Sequence, residues 1–222
     1  MAGMKEKELR DAAVAELTAE LSTVDRTVAS MAWTITARDR EVDQAIGAAF
    51  PSERRKRAET TGKFVRTILI DEIAIEIDSA DYVLNRLVLP NSKGEQHICD
   101  GSRYLSPSSK TGYPCGCPAE IFWRKASARS GTGPSPDVAL LFRVLAAPNV
   151  GPIFVRSTSW DFYFSLCRLL QDQGWDSGPV LADLELQRTL MKTRSGVEVA
   201  LVKPVVWSGG SRSWNGYYGI AV

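Results

Sequence analysis

One short stretch, residues 97–117, limits what this chain can fold into more than any other. It holds the only histidine of the chain and three of its four cysteines, in the order His97-x-Cys99, fifteen residues, Cys115-x-Cys117. Two close pairs of imidazole and thiolate groups on two turns can supply the four corners of a tetrahedron, as structural zinc requires. Most zinc sites use pairs separated by two residues, whereas each pair here encloses one residue. The spacing predicts a structural zinc ion bound by His97, Cys99, Cys115 and Cys117.

The loop between the two pairs supports this prediction. It is rich in Gly, Ser and Pro and has few apolar side chains to bury, so an ordered conformation needs another source of stability. Two alternatives remain open: reduced thiols beside a surface histidine, or a disulfide from Cys99 to Cys115 or Cys117. The disulfide is the less favoured alternative, because nothing in the chain indicates export.

Composition and charge restrict the class of protein. The chain has 222 residues, of which 44% are hydrophobic and 24% charged, as in a globular protein with one sizeable domain or two small ones. The net charge of +1 disfavours binding of duplex DNA by charge alone, so any contact needs a local patch or a protein partner. The charged N-terminus and the absence of a run of ~20 apolar residues predict a cytoplasmic protein without a signal peptide or membrane span.

The first sixty residues are predicted to form a mainly helical segment. Apolar residues recur three or four positions apart over residues 5–31, at Val14, Leu17, Leu21, Val24, Val28 and Met31. This pattern indicates one amphipathic helix that packs on its own domain or, alternatively, docks on a helical partner. We expect a short strand over 32–36 and a second helix from Thr36 or Asp39 to Phe50, ended by Pro51.

Alternation of apolar and polar residues predicts a sheet in the rest of the chain. We expect strands over 64–70, 73–77, 82–89, 138–145 and 153–156, and a long hairpin that turns at 194–196. Helices are expected over 119–129 and 159–173. The fold class is therefore α+β, an antiparallel sheet or small, partly open barrel with flanking helices. Its core is residues 61–207, which include the metal-type loop 95–118, and residues 208–222 form a tail rich in Gly and aromatic residues.

Basic residues concentrate in two places that are candidates for nucleic-acid contact. The run Arg54, Arg55, Lys56 and Arg57 is the densest, and residues 51–66 hold six Lys/Arg against two Glu, a net of +4. Such a run can bind phosphates, although a solvated loop is the commoner explanation. The second set is Arg124, Lys125 and Arg129, whose spacing places them on one face of the helix predicted over 119–129.

The chain has none of the common catalytic motifs. It has no H-E-x-x-H, no nucleophile elbow, no dinucleotide fingerprint and no phosphate loop. A zinc ion with four protein ligands has no open position for catalysis. Carboxylates could hold the Mg²⁺ of a nuclease, but a solvated strand face is the commoner explanation for Asp71, Glu72, Asp78 and Asp81. We therefore expect a protein that is not an enzyme, with a metal-dependent hydrolase of nucleic acid as a minor alternative.

A longer series of motifs resembles one phage family. After His97-Ile-Cys99-Asp100-Gly101 come Cys115-Gly-Cys117-Pro118, Gly133-Pro134-Ser135-Pro136, an apolar strand over 138–145, Gly151-Pro152-Ile153-Phe154-Val155-Arg156-Ser157-Thr158-Ser159-Trp160, a helix and a hairpin. Over residues 95–206 this order resembles the recombination directionality factors of large serine integrases. The resemblance implies a small, metal-binding α+β protein of temperate phages or integrative elements. Such a protein binds the integrase and switches it from integration to excision without cutting DNA.

This interpretation predicts the partners of the chain. We expect an integrase or another recombination protein, with DNA contacted directly or through that partner, and neither a membrane nor a small-molecule substrate. A regulator of this kind acts by contact, through its different affinities for two states of the partner. The candidate partner-binding residues are Trp123, Arg156 and Trp160.

The alternative function is direct binding of single-stranded nucleic acid. A small sheet or barrel can stack bases on exposed aromatic rings, and the candidates here are Trp160, Phe162, Trp207 and Trp214. The two functions differ in salt dependence. A direct binder should retain free oligonucleotide with an affinity that falls steeply with salt, whereas a protein-binding regulator should not.

Overall fold

Four helices and twelve strands make up the described part of the chain. The structure, a computed structural model, describes residues 5–19, 33–54, 64–89, 97–173, 175, 178–192 and 198–208. The helices are α1 Glu6–Ala12, α2 Arg40–Ala49, α3 Ile121–Arg129 and α4 Trp160–Asp172. The strands are β1 Ala15–Ala19, β2 Trp33–Ala37, β3 Ser52–Arg54, β4 Phe64–Ile68, β5 Glu72–Ile77, β6 Val83–Leu89, β7 His97–Cys99, β8 Tyr104–Ser106, β9 Ser135–Val144, β10 Ile153–Ser157, β11 Val180–Lys192 and β12 Glu198–Ser208.

The strands form one open and mostly antiparallel sheet, which confirms the predicted α+β class. Its main path runs β12-β11-β5-β9-β10-β1-β2-β4-β3, and among the described pairs β1 and β10 alone run parallel. The sheet branches at β9. One side of β9 pairs with β10, while the other side pairs first with β6 and then with β5 at Val144. The β6 branch continues through β7 to β8 and so carries the first ligand pair.

Strand β9 lies at the centre because both of its faces are buried. One face of β9 points into the main core through Val138, Leu140 and Phe142. Helix α4 covers this face and also packs on β6 and β12. The alternate residues Ala139 and Leu141 point to the opposite face, where α1 covers them. A strand buried on both sides needs an unbroken apolar run, which explains why the sequence here shows no alternation.

The expected helix over residues 5–31 is wrong. Helix α1 ends at Ala12, and residues 15–19 form strand β1 between β10 and β2. The backbone N–H of Val14 donates to the carbonyl of Pro152 at 2.8 Å, which turns the chain into the sheet. The rest of the predicted apolar stripe, residues 21–31, lies outside the described residues. The described residues among the first sixty thus form two helices and also three strands of the common sheet. That residues 1–60 are a segment separate from the core stays a prediction.

The other predicted elements are present with small changes of boundary. The Asp39 side chain caps α2 by accepting from the N–H of Val42 at 2.9 Å, and Ser159 caps α4 in the same way. The long hairpin is formed by β11 and β12, which pair from Ala182 with Ser208 to Lys192 with Glu198. Its turn and the tail after Ser208 lie outside the described residues. No helix in the described ranges has the length and apolar character needed to cross a membrane.

Candidate metal centre

The fold brings the four predicted ligands together. His97 and Cys99 lie on β7, which pairs with β6 on one side and β8 on the other. Cys115 and Cys117 lie on the chain segment that returns from the loop, and the N–H of Cys115 donates to the carbonyl of Ser102 at 2.9 Å. The ligand atoms of all four residues lie within 4.8 Å of one another. These residues can hold a metal ion.

Two of the separations between ligand atoms match a tetrahedral site. The sulfur of Cys117 lies 3.7 Å from the sulfur of Cys99 and 3.7 Å from Nε2 of His97. Tetrahedral zinc with Zn–S bonds of ~2.3 Å and a Zn–N bond of ~2.0 Å places two sulfurs ~3.8 Å apart, and a sulfur and a nitrogen ~3.6 Å apart. The alternative of a disulfide is wrong here, because the four cysteines of the chain are free thiols.

The centre is partly shielded from solvent. Cys99 and Cys115 are buried, while His97 and Cys117 are half-buried. Burial raises the pKa of both the Cys99 and the Cys117 thiols, because it disfavours an isolated thiolate. Burial also lowers the pKa of His97, and the nearby Lys110 ammonium adds to this effect, so the ring favours its neutral, metal-binding form. A divalent cation would supply the positive charge that clustered thiolates need.

Two glycines and one aspartate shape the turns that carry the ligands. Directly after Cys99, Oδ1 of Asp100 accepts from the N–H groups of Ser102 and Arg103, at 2.7 and 2.8 Å. Gly101 has a φ of +96° in this turn, and Gly116, between the two later cysteines, has a φ of +72°. Glycine adopts such angles without the strain that a side chain would introduce. The turns therefore follow directly from the local sequence.

Arg124 and Tyr163 hold the two ligand turns against the helices. Nε of Arg124 donates to the carbonyl of Pro118 at 2.9 Å, and its Nη2 donates to the carbonyl of Gly101 at 3.0 Å. The hydroxyl of Tyr163, on α4, donates to the carbonyl of Asp100 at 2.7 Å. The guanidinium therefore bridges the turn after Cys99 and the segment after Cys117. Sequence reasoning missed this role, since an arginine on an amphipathic helix carries no signal of a backbone contact elsewhere.

The residues predicted to bind nucleic acid differ in their surroundings within the described ranges. Arg54 pairs with the buried Asp43, which Arg66 also binds through Nε at 2.7 Å. Arg55, Lys56 and Arg57 lie outside the described residues. On α3, Arg124 contacts backbone carbonyls, Lys125 is half-buried and Arg129 is exposed. Burial lowers the pKa of Lys125, an effect that Asp161 opposes.

The three predicted partner-binding residues differ in their surroundings. Trp123 is exposed at the first turn of α3. Arg156 instead binds Asp137 through two nitrogens, at 2.9 and 2.7 Å, and also Glu6 of α1 at 3.3 Å. Trp160 is half-buried and stacks on Phe164, with ring centroids 5.9 Å apart. Of the three, Trp123 presents the most open side chain to a partner.

The predicted base-stacking residues are mostly unsuited to that role. Phe162 is fully buried, so the prediction of a stacking ring is wrong for it. Trp207 is also buried, and its Nε1 donates to Glu185, so it too is no exposed stacking ring. Trp160, the first residue of α4, is half-buried and its ring contacts Tyr163 and Phe164 of the same helix, and Trp214 is outside the described residues.

Two further groups lie outside the centre. The fourth cysteine, Cys167, is half-buried on α4, accepts a hydrogen bond from Nδ2 of Asn85 at 3.0 Å and lies outside the four-ligand group. Among the described residues, no second cluster of three or more possible ligands occurs, so the four carboxylates weighed for Mg²⁺ do not form a metal site of that size. One of these carboxylates, Asp78, pairs with Arg143 at 3.1 Å.

Comparison with known proteins adds no family to this description. No protein-family model matches the chain, and no solved structure shows a significant match to its fold. The arrangement of the His/Cys centre and its supporting helices is therefore the main guide to function.

Proposed function

We propose that this chain is a zinc-ordered regulator of site-specific DNA recombination that is not an enzyme. It binds the integrase of a phage or mobile element and switches that enzyme from integration to excision. The observation that carries the proposal is the closed four-ligand centre, bound through Arg124 to a helix that exposes apolar side chains. Such a centre orders a binding surface and leaves no coordination position for a substrate.

Zinc is the metal that the ligands favour. Three thiolates and one imidazole form a soft ligand set, which disfavours Mg²⁺ and Ca²⁺, both of which bind oxygen. The sulfur and nitrogen separations of 3.7 Å fit tetrahedral zinc. The zinc ion would be structural, and its binding free energy would contribute to the folding of the loop.

The recombination part of the proposal rests on the resemblance over residues 95–206. That stretch contains β7 to β12, α3 and α4, and so includes the metal centre and the helix that carries Trp123. A protein that acts by contact needs no catalytic group, only a different affinity for two states of its partner. The near-zero net charge agrees with action through a protein rather than through the phosphates of DNA alone.

A recombination assay with purified components tests the proposal. The integrase of the same element is incubated with DNA that carries the two hybrid attachment sites, with and without this chain. We expect the chain to promote recombination of the hybrid sites, to inhibit integration, and to act in stoichiometric amounts without a nucleotide cofactor. The proposal fails when the integrase recombines the hybrid sites equally well in its absence.

Single-strand nucleic-acid binding is the second candidate, because Tyr113, Phe122 and Trp123 present exposed rings. In that case the purified chain alone should retain an oligonucleotide, with an affinity that falls steeply between low and moderate salt. Salt-independent or absent retention would exclude it.

A further inference from the structure

Three consecutive apolar side chains are exposed at the start of α3. Ile121, Phe122 and Trp123 are 36%, 67% and 57% exposed, respectively. The rings of Phe122 and Trp123 contact each other edge to face, with centroids 5.1 Å apart. Eight large apolar side chains are exposed in the described part of the chain, and only these three are adjacent in sequence. A contiguous exposed apolar group of this kind is typical of a binding surface.

The metal centre sets the direction in which this group points. Arg124, the next residue of the helix, faces the centre, where it donates to the carbonyls of Gly101 and Pro118. Residues two apart on a helix point ~200° apart, so Phe122 faces almost directly away from Arg124. Phe122 therefore lies on the outer side of α3, with Trp123 on the flank ~100° from Arg124, and the described part of the fold leaves both side chains open to solvent. Ile121, three residues before Arg124, lies nearer the side that faces the centre.

The stretch of sequence that contains the apolar group carries a small net positive charge. Residues 97–133 hold five Lys/Arg and two Asp/Glu, a net of +3, while the whole chain has +1, so the other residues together carry −2. Of the cations on α3, Arg124 is bound to carbonyls, Lys125 is half-buried and Arg129 is exposed. Arg103 and Lys110 are exposed on the loop.

This arrangement favours a protein over a nucleic acid. A strand of nucleic acid needs a row of exposed cations to follow its phosphates. Here, Arg124 is bound to backbone carbonyls and Lys125 is half-buried, so the exposed features of α3 are an apolar group and the single cation Arg129. Protein interfaces commonly have this anatomy, an aromatic centre surrounded by a polar rim, with tryptophan among the residues that contribute most.

We infer that Phe122 and Trp123 form the docking surface for a protein partner, through an apolar segment that has Asp or Glu at its margins. The inference rests on the proposed function and names its contact surface. The acidic margin follows from charge complementarity with Arg129, which is exposed seven residues after Phe122 and so lies on the same face of α3. The outer face of α3 is then the contact, and the metal centre is its support.

The test compares two exposed apolar positions in the full chain. Affinity for the purified integrase of the same element, bound to DNA with the hybrid sites, is measured for the wild type, Trp123→Ala and Leu181→Ala. Leu181 is 54% exposed on β11 and provides a matched control. We expect Trp123→Ala to weaken binding at least ~30-fold, as for a central interface residue, and Leu181→Ala to leave it within ~2-fold. Zinc content and circular dichroism show that each variant is folded.

Each other outcome is decisive. If Trp123→Ala and Phe122→Ala both bind the integrase with wild-type affinity, the contact lies elsewhere. That result overturns the inference and leaves the proposed function standing. A wild type that does not bind the integrase would overturn both. Retention of a single-stranded oligonucleotide that is lost in Trp123→Ala would assign the surface to nucleic acid instead. Should Trp123→Ala lose zinc, Phe122→Ala, whose side chain points away from Arg124, replaces it in the comparison.

Discussion

Arg124→Met is expected to weaken the metal centre without touching a ligand. The substitution keeps an unbranched apolar stem and removes both donors, the Nε that binds the Pro118 carbonyl at 2.9 Å and the Nη2 that binds the Gly101 carbonyl at 3.0 Å. Those carbonyls belong to the turns that carry Cys117 and Cys99. Without the guanidinium, the two turns lose these hydrogen bonds, so the ligand pairs are held less firmly at the spacing the metal needs.

The magnitude follows from the two hydrogen bonds. A bond from a charged donor contributes ~1.5–3 kcal/mol, and Arg124 is half-buried, so we take the lower end and expect a loss of ~3 kcal/mol for both. For a chain of this size, that loss lowers the melting temperature by ~6–12 °C. Removal of a partner that orients metal ligands commonly weakens metal affinity ~10–100-fold.

Two measurements on the holoprotein check these values. Competition with a chromophoric chelator gives the zinc affinity, and circular dichroism on heating gives the melting temperature. Arg129→Met is the matched control, because Arg129 is exposed at the last residue of the same helix. Wild-type zinc affinity and melting temperature in Arg124→Met would refute the idea that these two hydrogen bonds set the ligand spacing.

Three further outcomes are expected. Elemental analysis should find about one zinc per chain in the wild type and in Cys167→Ser, and markedly less in Cys117→Ser, because only the second variant loses a ligand. Gly101→Ala should lower the free energy of unfolding by ~3 kcal/mol and Gly112→Ala by ~1 kcal/mol in urea titrations. Both have positive φ, but a Cβ at Gly101 would lie 2.6 Å from Arg124, whereas one at Gly112 meets nothing within 4 Å. Asp43→Asn should cost ~3 kcal/mol at pH 7. Burial alone would raise the pKa of Asp43, but hydrogen bonds from Arg66 and Arg54 lower it, so its ion pairs stabilise the fold above ~pH 4 and are lost as the pH falls further. Equal acid sensitivity of the wild type and Asp43→Asn would contradict this account.

Local patterns predicted the elements whose stability is local. The hairpin of β11 and β12 pairs neighbouring segments, and its alternating leucines are buried at Leu184 and Leu186. The same holds for α2, whose Asp39 cap and Pro51 stop are visible in the sequence. The four ligands were recognisable because His and Cys are rare in this chain and clustered.

The prediction of one helix over residues 5–31 failed because the same residues fit both the helical period and the period of a strand. Val14 and Leu17 fit a helical stripe, yet the buried set in the structure is Ala13, Ala15 and Leu17, which is the period of a strand. The choice depends on the two strands that flank β1, namely β2, which is the next strand in the chain, and β10, which lies far away in the sequence. Tertiary pairing of this kind overrides local preference and leaves no mark within the segment itself.

The roles of the arginines were also beyond local reasoning. Arg86 and Arg156 both bind Asp137, although 51 and 19 residues separate them from it in the chain. Burial alone would raise the pKa of Asp137, but the hydrogen bonds from Arg156 and Arg86 lower it, so the carboxylate stays charged between them. The sequence analysis names Arg156 and Trp160 as candidates for partner binding. In the structure, Arg156 also binds Glu6 and so links α1 to the sheet.

The metal centre joins these predictable and unpredictable parts. Cys99 and Cys115 belong to the same core as Tyr163, and Tyr163 donates to the carbonyl of Asp100, the residue after Cys99. Disorder in the loop would therefore reach α4 and the centre of the sheet, as well as α3 through Arg124. A metal bound by these four side chains would therefore stabilise the core and, through Arg124, would hold the helix that carries the exposed Trp123.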